Sequence, residues 1–226
     1  MTDTQLREVA PQPSTVSQHA LEGLRRSIAA GDLRPGQRVP QEDVAAQLGV
    51  SVAPVREALR TLEQEGQVTY LPRRGYFVTE LRIEDLREIY DLRRVMEARA
   101  ARHALPLLAA ADLDVIARAA AECRAAEDTG DVTAELDANR RFHLAMFDVP
   151  GHPHTLRVIR MLWESTEAYR ALYYNSQEER RRANDAHERI LAAVQARDAD
   201  ELVSELDAHR DRALEVLQVL LAPAVA

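Results

Sequence analysis

Between Gln67 and Leu81 the chain reads QVTYLPRRGYFVTEL, and its hydrophobic spacing changes there from helical to alternating. Val68 and Tyr70 alternate with polar residues before PRRG. Tyr76 and Val78 are again two apart after it. β-Branched and aromatic residues alternating around a Pro- and Gly-bearing turn predict two short antiparallel strands. An isolated two-stranded hairpin is marginal in water and must lean on something larger. The surrounding sequence offers only helices, so the feature fixes a mainly α chain with one small sheet.

Upstream, apolar periodicity predicts helices over 15–30, 41–48 and 52–65. GDLRPGQRV (31–39) breaks the first. Gly49 takes the C′ position of the second, Ser51 is placed to N-cap the third, and Gly66 ends it. Downstream, about six helices are predicted, over 83–104, 111–128, 131–147, 153–175, 178–196 and 198–221. Residues 1–14 carry two prolines and no apolar periodicity, and they read as a flexible arm. The predicted organisation is that arm, a domain over 15–80 and an all-α bundle over 84–222, with the division near 80–83.

The composition, 46% hydrophobic and 29% charged, is that of a folded chain. No apolar run reaches the ~20 residues of a membrane span. The N-terminal stretch lacks the apolar core of a secretory signal. One cysteine, Cys123, excludes an intrachain disulfide. The expected setting is the cytoplasm, with no membrane partner. All 29 basic residues are arginine, and the net charge of −8 argues against indiscriminate binding to polyanions. The charge is uneven, however. Residues 1–80 hold 9 arginines against 10 acids, whereas 81–226 hold 20 against 27. The near-neutral first third can present a local basic face; the rest is repelled by phosphate.

Helix, short helix, turn, helix and hairpin is the order of a winged helix-turn-helix, whose second paired helix enters a major groove while the hairpin lies along the backbone. Arg56 and Arg60 stand one turn apart on that helix. Arg73 and Arg74 cap the hairpin, and Gly75 lets the backbone approach a phosphate or minor groove. Each guanidinium can chelate a phosphate, or guanine O6 and N7. The plain alternative is a helical triad with solvated arginines. The stretch GDLRPGQRVPQEDVAAQLGVSVAPVREALRTLEQEGQVTYLPRRGYFV (31–78) resembles the DNA-binding domain of the GntR family of bacterial transcription regulators. The resemblance rests on Gly31, Leu33, Pro35, Gly36, LGVS, PVREAL, LEQEG and PRRGYFV. It implies that Ser51, Arg56 and Gly75 contact DNA, with Arg73 and Arg74 assisting. One departure stands out. Where the family reads SRTPVREAL this chain reads SVAPVREAL, so Val52 and Ala53 replace an arginine and a threonine. A bidentate Arg–guanine contact is worth about 1–3 kcal/mol of discrimination, and Val52 cannot make it. The family's usual operator preference is therefore not expected here.

In the helical part, DANRRFHLAMF (137–147) places Asn139 and His143 four apart on one helical face. His187 and His209 lie on two later predicted helices. Three imidazoles and an amide oxygen can converge inside a bundle, a donor set suited to Zn, Ni, Co or Mn. The alternative is ordinary core histidine. His19, His103, His152 and His154 read as surface. YDLRRVMEARAARHAL (90–105), ANRRFHLAMF (138–147) and AHERILAAVQARDADE (186–201) resemble the FCD-type effector domain of the FadR branch, in its shorter vanillate-regulator-like form. The resemblance implies a divalent metal on Asn139, His143, His187 and His209. It also implies a small carboxylate effector completing the shell, with Arg93 and Glu97 lining the pocket. Arg93 is the candidate for holding the carboxylate. A surface i,i+4 salt bridge is the alternative for that pair. A neutral amide at Asn139 binds metal less firmly than a carboxylate but leaves the site more positive.

These readings combine into a homodimeric DNA-binding regulator, a repressor on a palindromic operator, released or engaged by a metal-bound carboxylate. The alternatives are a metal-dependent hydrolase or lyase, and a regulator whose metal is purely structural. No carboxylate stands obviously placed as a general base beside the histidines.

Overall fold

Helix α1 (Val16–Ala29) buries Ala20, Leu24 and Ile28 at four-residue spacing. They pack on Val55, Leu59 and Leu62 of α3 (Val52–Gln64), and burying each large aliphatic contributes about 1.5–3 kcal/mol relative to exposure. Between them lies α2 (Gln41–Leu48), closed by Gly49 at φ 67°, whose N–H caps the Ala45 and Ala46 carbonyls. Ser51 occupies the N-cap of α3, but its hydroxyl makes no capping bond and stays exposed. The computed structural model describes residues 16–148 and 152–222. The arm predicted over 1–14, and Thr15 as a helix start, lie outside the described residues.

The predicted hairpin is β1 (Val68–Leu71) paired antiparallel to β2 (Gly75–Val78), in register from Val68↔Val78 to Leu71↔Gly75. Its turn places Arg73 at φ 65° and Gly75 at φ 93°. The second value suits glycine, because a Cβ there is strained. One pairing was not expected. The Gln37 carbonyl accepts from Val78 N–H at 2.9 Å, and Val39 N–H donates to the Tyr76 carbonyl at 2.9 Å. The segment read only as a helix breaker thus runs beside β2, and Pro35 and Gly36 hide that from any periodicity.

The bundle comprises α4 (Ile83–Ala104), a 3-10 turn (Leu105–Leu107), α5 (Ala110–Thr129), α6 (Val132–Ala145), α7 (Pro153–Glu164), α8 (Glu167–Tyr174), α9 (Gln177–Ala196) and α10 (Ala199–Leu220). One core gathers Ile116, Phe142, Met146, Trp163, Ile190 and Leu206. A second gathers Leu86, Tyr90, Leu136, Tyr169, Tyr174 and Leu217. Among the described residues the bundle has seven α-helices where about six were predicted, because the helix expected over 153–175 is two. Thr166 is the cause. Its buried hydroxyl bonds back to the Leu162 and Trp163 carbonyls, and Arg170 takes the Trp163 carbonyl at 2.8 Å. Those carbonyls are diverted from the helical ladder, and the chain bends without glycine or proline.

Helix α8 also meets the first unit. Tyr169 Oη accepts from Leu81 N–H at 2.5 Å and lies 3.3 Å from the Leu81 carbonyl. Ala168 packs on the first unit's core, and a Cβ on Gly66 would lie 3.3 Å from Ser165. Tyr169→Phe keeps the ring and removes the tether. It is expected to lower stability by about 1 kcal/mol in urea unfolding; an unchanged midpoint would show that the tether carries no weight.

Candidate functional site

Two places bring the predicted residues together. In the first, the apolar face of α3 is buried through Val55, Leu59 and Leu62, which leaves Arg56 and Arg60 exposed on its outer side. Arg56 Nε reaches Gln41 Oε1 of α2 at 3.4 Å. Arg74 lies 5.1 Å from the Phe77 ring, which steadies its long side chain. Gln41, Arg56, Arg60, Arg73, Arg74 and Gly75 wall a concavity of about 840 Å³. Ser51 is not among its walls; it sits at the start of α3. The concavity includes one arginine the sequence reading missed, Arg38. It is carried there by the pairing with β2, and its Nε lies 3.9 Å from where a Gly75 Cβ would be. Five guanidiniums and one carboxylate, Glu63, make a basic groove in a chain that is otherwise acidic.

The second place lies where α6, α9 and α10 converge. His143 and His187 are buried and His209 partly so. Their rings are 5.0–5.1 Å apart, and one donor nitrogen from each falls within 4.8 Å of the others. The Nε2 atoms of His143 and His187 are 3.3 Å apart. Burial pushes all three imidazoles below their ordinary value. Arg93 and Arg210 add to this at His143 and His209, bringing His209 to about 4. They are therefore neutral near pH 7, the state that ligates metal. Asn139 lies one turn before His143, and its buried Oδ1 has no hydrogen-bond partner. An orphaned buried acceptor carries a desolvation penalty of about 1–3 kcal/mol. Asp137, the conspicuous acid of the stretch, is exposed. The donor set of three imidazoles and one amide oxygen fits a borderline divalent ion.

Arg93 and Glu97 are buried, not a surface bridge. The carboxylate is 0% exposed and accepts from Arg93 Nε at 2.9 Å and Trp163 Nε1 at 2.8 Å, and also from Arg210. Periodicity cannot tell a buried i,i+4 pair from an exposed one. Burial alone would raise the Glu97 carboxyl, but the two guanidiniums outweigh it and hold it low. Arg93 stacks 4.3 Å from the Trp163 ring, with Arg170 at 4.5 Å. Arg170, Arg210, Trp163 and Tyr174 were not singled out in the sequence, since arginines on charged helices are usually solvated. Beside them is a small cavity of about 20 Å³, bounded by Arg93, Asn139, Arg170, Tyr174 and His209. It has room for about one water. Tyr174 Oη and Arg170 Nε are buried there without partners.

The family model described as "Bacterial regulatory proteins, gntR family" matches residues 16–78, and that of the FCD domain matches 88–212. The HTH-type transcriptional regulator McbR of Escherichia coli (strain K12) is 30% identical over 182 residues, 78% of this chain and 81% of McbR. The solved structure of E. coli McbR/YncC is similar at a TM-score of 0.81 and 25% identity, over 91% of this chain and 98% of that one. The Nta operon transcriptional regulator of Aminobacter aminovorans is 28% identical over 191 residues, 82% of this chain and 88% of the relative. The HTH-type transcriptional repressor GlaR of E. coli (strain K12) is 26% identical over 212 residues, 88% and 94% respectively. Among the described residues no helix is long and apolar enough to cross a membrane.

Replacing Glu97 tests the buried clamp without touching a histidine. Glu97→Gln leaves the buried Arg93 guanidinium without its counter-charge and Arg210 with Asp207 alone, so a loss of about 3–5 kcal/mol in urea unfolding is expected. A loss below about 1 kcal/mol, the scale of an exposed pair, would contradict the clamp.

Proposed function

The chain belongs to the GntR family of bacterial regulatory proteins and carries an FCD domain, which makes it a DNA-binding transcriptional regulator; from that premise we propose that it is a homodimeric repressor controlled by a metal-bound carboxylate. The relatives and structural neighbours are regulators, so the hydrolase or lyase alternative falls away. Repression follows the reading of GlaR, which is named a repressor. Two copies place two α3 helices on a palindromic site. Arg56, Arg60 and Ser51 meet the duplex from α3, and Arg73, Arg74 and Gly75 from the hairpin. Arg38 joins them from the strand beside β2.

The observation that carries the ligand reading is the convergence of His143, His187 and His209 within 4.8 Å beside the orphaned Asn139 Oδ1. Those four residues would hold the ion. When bound, it supplies positive charge and open positions that a carboxylate oxygen can complete. Arg93 stands ready for the other oxygen, and Glu97 positions Arg93 rather than touching the effector. Helix α8 offers the route to DNA. Arg170 and Tyr174 face the small cavity, while Tyr169 and Ala168 hold the first unit. An effector that needs room there has different affinities for this arrangement and a wider one, which is what shifts a population. A second reading is favoured by the cavity's size. At about 20 Å³ it admits no organic acid as it stands. A structural metal then gives metal-dependent melting with no carboxylate-dependent release of DNA.

Trp163, the single tryptophan, lies 5.0 Å from His143 and reports on the centre. Titrating metal-stripped full-length protein with Co²⁺ is expected to quench its emission to an endpoint of one ion per chain. The quench should be lost in His187→Ala. Emission that stays flat rules out the metal reading. On mixed-sequence duplex DNA, Arg38→Ala should weaken binding and lower the slope of log affinity against log salt by about one. Arg34→Ala, outside the groove, serves as the control, and equal behaviour of the two variants would remove Arg38 from the interface.

A further inference from the structure

The bundle has a second recess, on its outer side, between the C-terminal half of α4 and the start of α7. Arg99, Arg102, His103 and His152 rim it, and the buried side chains of Ala100 and Phe147 floor it. Its volume is about 330 Å³, against about 20 Å³ for the small cavity beside the histidine cluster. None of its residues belongs to the basic groove, the proposed metal centre or the effector pocket.

Its charge is one-sided, since among the described residues no carboxylate lines it. Arg99 has no ion pair among the described residues. Arg102 pairs with Asp200, whose own side chain is 87% exposed and so well screened. The rings of His103 and His152 meet edge to face with centroids 3.7 Å apart. Slight desolvation and the positive fields of His103 and Arg99 hold the His152 imidazole below its ordinary value. Four cationic or protonatable groups thus crowd one rim, and their mutual repulsion is relieved by an anion. The floor supplies the other half of recognition. Phe147 and Ala100 belong to the main apolar core and give a ligand's hydrocarbon body an apolar floor, and Thr155 adds an uncharged hydroxyl to the lining. Few charged groups around an apolar floor, at this volume, is the usual build of a small-molecule site.

We propose that this recess binds a small monocarboxylate with a compact apolar body, its head on Arg99 and the two imidazoles and its body on Phe147. A guanidinium suits the head because it grips both carboxylate oxygens at once. Two adjacent imidazoles also suggest a metal cation, but two neighbouring guanidiniums and the lack of any carboxylate in the lining oppose it. The inference is independent of the metal and effector readings, since its residues are different ones.

Benzoate is the probe, and benzylamine, with the same body and opposite charge, is the control. Metal-stripped full-length protein labelled on histidine is titrated at low salt and followed by its imidazole NMR signals. His103→Gln and His152→Gln assign the two rings. Benzoate is expected to shift both rings saturably and benzylamine neither. Arg99→Ala, an exposed substitution that leaves the fold intact, should weaken benzoate about tenfold, the scale of one charge-assisted bond. His209→Ala should leave these shifts unchanged, which separates the recess from the inner centre. The proposal is overturned if neither ring shifts, if Arg99→Ala binds as the parent does, or if benzylamine shifts the rings equally. Saturation of the same rings by Zn²⁺ but not benzoate would also overturn it, making the pair a cation site.

Discussion

One buried carboxylate sets the geometry of the helical unit. Glu97 of α4 accepts from Arg93 on its own helix, from Arg210 on α10 and from the indole of Trp163 on α7. Withdrawing such charges from water costs several kcal/mol per ion, so the clamp holds only when all its partners arrive together. It acts as a geometric lock more than as a source of net stability. The consequence falls on the histidines. Arg210 follows His209 directly, and the Trp163 ring stands 5.0 Å from His143. Two of the three imidazoles are therefore positioned through a carboxylate that is not itself among the donors.

The same helices tie that centre to the basic groove. Helix α8 is short because Thr166 diverts two carbonyls, and the bend turns its residues in two directions. Arg170 and Tyr174 border the small cavity, and Tyr169 reaches Leu81 at the junction of the two units. A change at the cavity that moved α8 would be felt at Leu81 and, through Ala168 and Ser165, at the core beneath α3. The Trp163 ring, stacked between Arg93 and Arg170, sits at the centre of that arrangement.

Much of this was legible in the sequence, for definable reasons. The hairpin showed because its period differs from a helix. Asn139 and His143 showed because four-residue spacing is unambiguous on a helix, and His187 and His209 showed as histidines on two later helices, with their shared role implied by the family resemblance. What stayed hidden depends on tertiary burial. Arg93 and Glu97 have the same spacing whether wet or dry, so a surface bridge and a core clamp read alike. Arg170 and Arg210 look like members of any charged helix. Arg38 reached the groove by pairing with β2 across a proline and a glycine. The break at Thr166 carried no breaker residue, only a hydroxyl that found carbonyls one turn back.

The central claim is that three histidines from three helices, with Asn139, hold one divalent ion. An X-ray absorption spectrum of the Co²⁺-loaded full-length protein tests it most directly. The account predicts a nitrogen and oxygen shell with the outer scattering of about three imidazoles per cobalt, as expected of a site built mainly from histidine. A spectrum of hydrated cobalt, or one without imidazole scattering, would contradict it.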